Sequence, residues 1–344
     1  MAILFTAMAL ILCLADFTYA VKIRGGADPT IMKVGNNYYS AESASGGIWV
    51  REATSLEGLG ASGVRRVKVW SDDAGRGDIW APEITTDSGR TYIYFSAGKS
   101  AAHRMYAISA DSPLGTYSNE SKLALPDDQW AIDGAYFVFE GQGWFVWSGW
   151  ASESNNAEQN LYICRMNSPT QPTGRRYIIS QPRESWEQGD NPRINEGPEI
   201  IVDPNGQLHI VYSANGSWAS KYCLADLRLR KGGDPTYVWD WYKSNGCLFG
   251  SHQDRMMQGW DATLYIDGPG HHTFALDDGD INQSPGGTNR IPFVFHGVEK
   301  GTPYSWGARG WFTGSFVWWS QTTYRRGNVP GDNTNTGFSF KFFE

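Results

Sequence analysis

The sequence predicts an all-β fold, a five-bladed β-propeller, and three observations carry that expectation. Among 344 residues stand 40 glycines and 16 tryptophans, with many short aromatic runs. Such a composition suits pleated, closely packed sheets, and no stretch sustains a helical period. Five of the apolar runs recur with a Ser or His at their end: Asn37-Tyr-Tyr-Ser40, Tyr92-Ile-Tyr-Phe-Ser96, Trp144-Phe-Val-Trp-Ser148, His209-Ile-Val-Tyr-Ser213 and Phe293-Val-Phe-His296. Their closing residues lie 56, 52, 65 and 83 positions apart, the loose period of one supersecondary unit repeated around an axis. Most of these runs are apolar at consecutive positions, so both faces of each strand are buried, as happens when blades pack face to face. The period alone also fits a tryptophan-rich β-sandwich or two small β domains.

Taken in chain order, residues 1–20 are apolar and nearly uncharged and end in Thr18-Tyr19-Ala20, the pattern of a secretory signal peptide and too short for a membrane span. Residues 21–344 then read as one domain, with no Pro/Ser/Thr-rich linker or low-complexity tract. A secreted, extracellular protein with no membrane association follows. The acceptor sequons at Asn119, Asn215 and Asn282 agree with a secreted glycoprotein. Outside the leader, Cys164, Cys223 and Cys247 form an odd set; Cys223 with Cys247 is the preferred disulfide, and the pairing stays open. No Cys/His spacing resembles a zinc site. The net charge is −7, and the basic pairs Arg65-Arg66, Arg175-Arg176 and Arg325-Arg326 are isolated. Nucleic acid is therefore a poor partner.

Upstream of each recurring run stands a short polar phrase: Ala27-Asp28-Pro29, Trp80-Ala-Pro-Glu83, Ile132-Asp133-Gly134, Asn195-Glu196-Gly-Pro198 and Gly268-Pro-Gly-His-His272. If each opens the innermost strand of its blade, Asp28, Glu83, Asp133, Glu196 and His271 converge at one mouth of the central channel. Glycoside hydrolysis needs two carboxyl groups on opposite sides of the scissile bond, one protonated and one ionised, and a third acid nearby raises the proton affinity of its neighbours. Singly, each acid has a plainer reading: Asp28 as a turn residue, Glu83 as a partner of backbone or Arg, Glu196 as a loop cap. Recurrence at blade spacing is what joins them. Trp80 is a candidate sugar platform, although blade packing would also use a tryptophan there.

On these phrases the sequence resembles glycoside hydrolase family 43 along most of residues 21–344. The secreted α-L-arabinofuranosidase and exo-arabinanase branch is the nearest likeness, through His103-Arg-Met-Tyr106, Trp147-Ser-Gly-Trp150, Tyr212-Ser-Ala-Asn-Gly-Ser-Trp218 and Tyr222-Cys223. The resemblance implies an inverting hydrolase with Asp28 as general base, Glu196 as general acid and Asp133 raising the pKa of Glu196 and holding it in place. Inversion places the Asp28 and Glu196 carboxyls roughly 6.5–9.5 Å apart. The resemblance further implies a monomer that releases arabinose from arabinan or arabinose-decorated plant cell-wall polysaccharide without a cofactor in the chemistry. His271 would sit near the propeller axis, where family members hold water or a calcium ion; a hydrogen-bonded structural histidine is the alternative, and His272, facing the opposite way, does not share its ligand. Glu83 is structural on this reading. Endo-arabinanase and β-xylosidase are rival activities on the same scaffold, and a non-catalytic carbohydrate-binding propeller is the rival of a different class. The likeness is weakest after His296, so no substrate role is carried to Arg309.

Overall fold

A computed structural model describes residues 20–282, 290–321 and 337–344. The expected signal peptide, save Ala20, and the Arg325-Arg326 pair lie outside the described residues. Within them the only helices are single 3₁₀ turns, and no helix is long and apolar enough to cross a membrane. The rest is strand and turn, arranged as a five-bladed propeller of antiparallel meanders.

Blade I comprises Ile31–Val34, Asn37–Ala44, Gly47–Ala53 and Arg65–Ser71. Blade II comprises Trp80–Asp87, Arg90–Ala97, Arg104–Ala110 and the short Ser121–Lys122. Ala131–Phe139, Gln142–Gly149, Glu158–Ser168 and Gln171–Ser180 make blade III, and Arg193–Val202, Leu208–Ala214, Cys223–Leu229 and Trp241–Lys243 make blade IV. The recurring apolar runs are thus the second strand of each blade, and the polar phrases stand at the start of the first. In blade V, Ile266–Phe274, Ile291–Glu299 and Gly310–Gln321 are followed by an outer position that two segments share. Lys22–Gly25 pairs with its Gly310 end (Lys22 opposite Phe312), and Gly337–Phe343 pairs with the remainder (Ser315 opposite Phe343). The N-terminal strand therefore closes the ring on the last blade, joining residues nearly the full chain apart.

The apolar core is divided among the wedges between blades. Met32, Ile48, Ile84, Ile93 and Phe95 fill the wedge between I and II; Tyr94, Met105, Phe145, Trp147 and Tyr162 fill that between II and III. A larger cluster spans III, IV and V, and Ile31, Leu59, Val294 and Trp311 join V to I. Each fully buried large side chain contributes about 1.5–3 kcal/mol. Consecutive apolar positions are required because each strand faces two such wedges.

The closing Ser or His of the recurring runs has a specific use in three blades. The Ser148 hydroxyl donates to the Asn195 carbonyl (2.8 Å), Ser213 Oγ accepts the His271 N–H (2.7 Å), and His296 Nδ1 accepts the Asp28 N–H (3.0 Å). Each bond reaches the first strand of the following blade, or in blade I the segment just ahead of it, and fixes the stretch that carries a candidate site residue. Buried Ser40 and Ser96 have no such bond among the described residues.

Cys223 and Cys247 form a disulfide, as preferred from sequence, and Cys164 is buried and free. Of the three sequons, Asn215 is unsuited to a glycan: its side chain is fully buried and its amide donates to the carbonyls of Trp186 and Lys221. Asn119 and Asn282 are exposed.

Candidate functional site

The first strands share a backbone feature that positions the site. One residue near the start of each takes a left-handed conformation: Asp28 (φ 52°), Ala81 (40°), Asp133 (53°), Gly197 (55°) and His271 (39°). In blades II to V the ladder shifts register at this point, the signature of a β-bulge. Bulges re-aim side chains, and positive φ at four non-glycine residues carries a steric cost that the surrounding sheet must offset. At Gly197 a side chain would also press on the His271 ring, 3.2 Å from the Cβ position.

The common feature sets the register of the five phrases. Asp28, Ala81, Asp133, Gly197 and His271 are equivalent positions; Trp80, Ile132 and Glu196 precede it by one, and Thr30, Glu83, Ala135, Glu199 and Thr273 follow it by two. Asp28, Trp80, Asp133, Glu196 and His271 accordingly line one cavity of about 320 Å³ at a mouth of the channel, with Trp130, Gln159, Ser217, Trp218, Trp306 and Arg309. Glu83 does not join them. It lies one level deeper, in a narrow void floored with Glu199 and shared with Asp133 and His271. The expectation that all five polar residues reach one mouth is corrected on this point: the phrase of blade II places Ala81, not Glu83, at the equivalent position.

The carboxyls in the cavity are held differently. Burial alone would raise the proton affinity of Asp28, but the charge of His271 and then that of Arg309 act against it, and the group is held well below the usual carboxylate range. The His271 and His296 Nδ1 atoms each lie 3.3 Å from Asp28 Oδ1. Because His296 Nδ1 accepts the Asp28 N–H, this ring is neutral with its proton on Nε2, in line with a pKa lowered by burial to about 4. Glu196 is shifted the other way, to about 7, by burial and then by the charge of Asp28; the Tyr222 and Ser217 hydroxyls and Arg309 restrain the rise. Burial, Glu196 and Asp28 likewise push Asp133 well above its usual value, while its Oδ2 accepts the Gly197 N–H at 3.0 Å. The repulsion between Asp133 and Glu196 is reciprocal, so the pair retains a proton through the range where Asp28 is ionised.

Two rings beneath the carboxyls tie them together. Tyr222 donates to Glu196 Oε1 (2.9 Å) and stacks on His296, with centroids 5.4 Å apart at 14°. Gly270 leaves room for this stack, since a Cβ there would lie 2.1 Å from the Tyr222 ring. On the opposite wall Trp80 is about 41% exposed and packs on His103 at 4.1 Å, which leaves an aromatic face for the cavity.

For a metal ion the fit is poor. His271 turns Nδ1 to Asp28 and, at 3.8 Å, to Asp133, and among the described residues no group of three or more His, Cys, Asp or Glu side chains is arranged to hold an ion. The ligand set that a calcium ion near the axis would need is not assembled by those side chains. His272, as expected from alternation, faces away and is buried against Phe274 and Phe293.

Sequence reasoning missed Trp130, Gln159 and Trp306 as residues of the site, quoted Ser217, Trp218 and Tyr222 within longer phrases without a role, and carried no substrate role to Arg309. They come from later strands or from loops where no recurrence operates. Two larger hollows, of about 630 and 410 Å³, lie elsewhere, the first off the far ends of the first strands of blades I to III. Neither is lined by Asp28, Asp133, Glu196 or His271.

Residues 18–307 match the sequence profile described as "Glycosyl hydrolases family 43". The chain is 32% identical over 267 residues to the extracellular exo-alpha-(1->5)-L-arabinofuranosidase of Streptomyces avermitilis, covering 73% of this chain and 52% of that protein. It is 27% identical to alpha-L-arabinofuranosidase 43 of Humicola insolens, covering 74% and 53%. The chain thus spans about half the length of these curated relatives. Among solved structures, the alpha-L-arabinofuranosidase from Lactobacillus brevis is similar with a TM-score of 0.72 and 25% identity, over 87% of this chain and 93% of that one.

Proposed function

Because the chain belongs to glycoside hydrolase family 43, we propose that it is a secreted, exo-acting, inverting α-L-arabinofuranosidase whose residues 21–344 form one catalytic domain. The observation that carries the reading is the opposed proton affinity of two carboxyls in one cavity: Asp28 held ionised and Glu196 held protonated up to about pH 7. Relatives named as arabinofuranosidases support the choice of sugar, and the Cys223–Cys247 disulfide supports an oxidising compartment.

In this reading water attacks the anomeric carbon as Asp28 takes its proton. The bond from that carbon to the leaving oxygen breaks while Glu196 delivers its proton to the oxygen. Free arabinose of inverted configuration leaves with the shortened polymer, and solvent restores the two protons to their starting places. Asp133 keeps Glu196 proton-rich and, through its bond to the Gly197 N–H, fixes the turn on which Glu196 stands. Trp80 covers the apolar face of the bound sugar.

The test is hydrolysis of linear arabinan, branched arabinan and arabinoxylan, followed by proton NMR of the earliest product. Monomeric β-arabinofuranose appearing first is the expected result. First release of oligosaccharides would replace exo by endo action, release of xylose would make the enzyme a xylosidase, and retained configuration would remove the role given to Asp28.

A further inference from the structure

Resting on the arabinofuranosidase reading, we infer that the tryptophan corner Trp218–Trp306 is the subsite that receives the leaving-group sugar. The two rings meet edge to face, with centroids 6.3 Å apart at 74°, and both line the cavity that holds the carboxyls. They remain about 36% and 59% exposed. Two large aromatic side chains left open at the wall of a concave polar site are a platform for an apolar ligand face, which in a furanose is its C–H surface.

The position of the corner decides which sugar it meets. The leaving oxygen lies where Glu196 delivers its proton, so the leaving sugar rests against the groups on the solvent side of Glu196. Ser217 bonds the Glu196 carboxyl, and Trp218 is the next residue. Trp80 stands on blade II, across the ring, and Trp130 is buried against Trp150 in a stack at 4.8 Å, which leaves it no open face of comparable size. The glycone therefore lies toward Trp80, and the departing sugar lies on the corner.

The corner is also built to hold its shape. Buried Asn215 anchors one loop through the Trp186 and Lys221 carbonyls, and the Gly216 N–H is bound by Asp190 (2.9 Å). Tyr304 OH reaches the Ser217 carbonyl (3.4 Å) from the second loop, where Arg309 Nε donates to the Trp306 carbonyl (3.2 Å). A platform fixed in advance keeps the entropy lost on binding small.

The test uses two substrates that share the glycone and differ in the leaving group: α-(1→5)-L-arabinobiose, and α-L-arabinofuranosyl fluoride, whose departing fluoride needs no sugar subsite. For Trp218→Ala and Trp306→Ala the ratio of kcat/KM on the disaccharide to that on the fluoride should fall roughly tenfold, about the worth of one aromatic contact, with Trp218→Phe recovering most of it. A ratio equal to wild type in both alanine variants overturns the proposal, whatever the absolute rates, and thermal melting separates loss of fold from loss of contact. Wild-type protein that leaves both substrates intact would instead remove the reading on which the proposal rests.

Discussion

Two levels of the same channel each hold buried carboxyl groups, and their electrostatics diverge. At the mouth, Asp28, Asp133 and Glu196 share a cavity with His271 and Arg309, and their proton affinities are driven apart, Asp28 down and the other two up. One level below, Glu83 and Glu199 are hydrogen-bonded to each other with the Thr30 hydroxyl on Glu83. Burial raises both, Glu83 to about 8 and Glu199 well above the usual carboxylate range. The difference is the cationic partner: what opposes desolvation in the lower pair is hydrogen bonding from Thr30, between the two carboxyls and from the Ile200 N–H, with no basic side chain among the causes, so both carboxyls stay neutral. On the proposed reading, unequal treatment of neighbouring acids, and not burial of acids on the axis, distinguishes the catalytic level from the one below it.

The comparison breaks most visibly at Glu196. Glu196→Gln keeps shape and hydrogen-bonding capacity but removes the transferable proton, and kcat on arabinobiose should fall by about 10²–10⁴-fold, with a circular dichroism spectrum like that of wild type. A loss below tenfold would take the acid role from Glu196. In the wild type, kcat/KM should decline as pH rises through about 7, because the acid must be protonated and Glu196 loses its proton there.

Asp133→Asn is the next largest change, roughly 10- to 100-fold in kcat. The sign of its pH effect is diagnostic. Asp133 and Glu196 disfavour each other's ionisation and so hold their protons jointly; removing the Asp133 carboxyl takes away the shared site, and the alkaline limb should move to lower pH. Tyr222→Phe should do the opposite at smaller cost: its hydroxyl favours the ionised form of Glu196, so its loss moves the alkaline limb to higher pH while kcat drops several-fold from poorer positioning. Limbs that move together in the two variants would show that neither residue acts through Glu196.

How much of this was legible in the sequence follows from what repeats. The second strands are apolar on both faces in every blade, so the fold was readable, and Asp28, Asp133 and Glu196 stand in phrases tied to that repeat. Glu83 was displaced by one level because the register of a bulged strand depends on which residue takes positive φ, and the composition of the phrase does not show that Ala81 does so. Ring closure by Lys22–Gly25 had no local signature, since its partner strand at Gly310 lies at the other end of the chain. Trp306, Arg309 and Tyr222 reach the site from loops and a third-strand edge, where nothing recurs. The sequon at Asn215 misled for a related reason: the triplet is read locally, whereas its asparagine is held by distant carbonyls.

The lower level supplies the mildest test. Glu83 and Glu199 bind protons more tightly folded than unfolded, so the folded state carries the extra proton between the ordinary glutamate pKa near 4.5 and about 8. The stability this contributes is complete below the lower value and declines as pH rises toward and through the upper one. Wild-type protein should therefore lose stability between pH 5 and 9, and Glu83→Gln, which is neutral throughout, should flatten that slope and gain about 1–2 kcal/mol over wild type at pH 9. Denaturant unfolding at the two pH values measures it, and kcat on arabinobiose at pH 6 should stay within twofold because Glu83 touches neither Asp28 nor Glu196. A large kcat loss in this variant, with the stability slope unaltered, would mean that the lower carboxyls belong to the chemistry after all and that the two levels work as one.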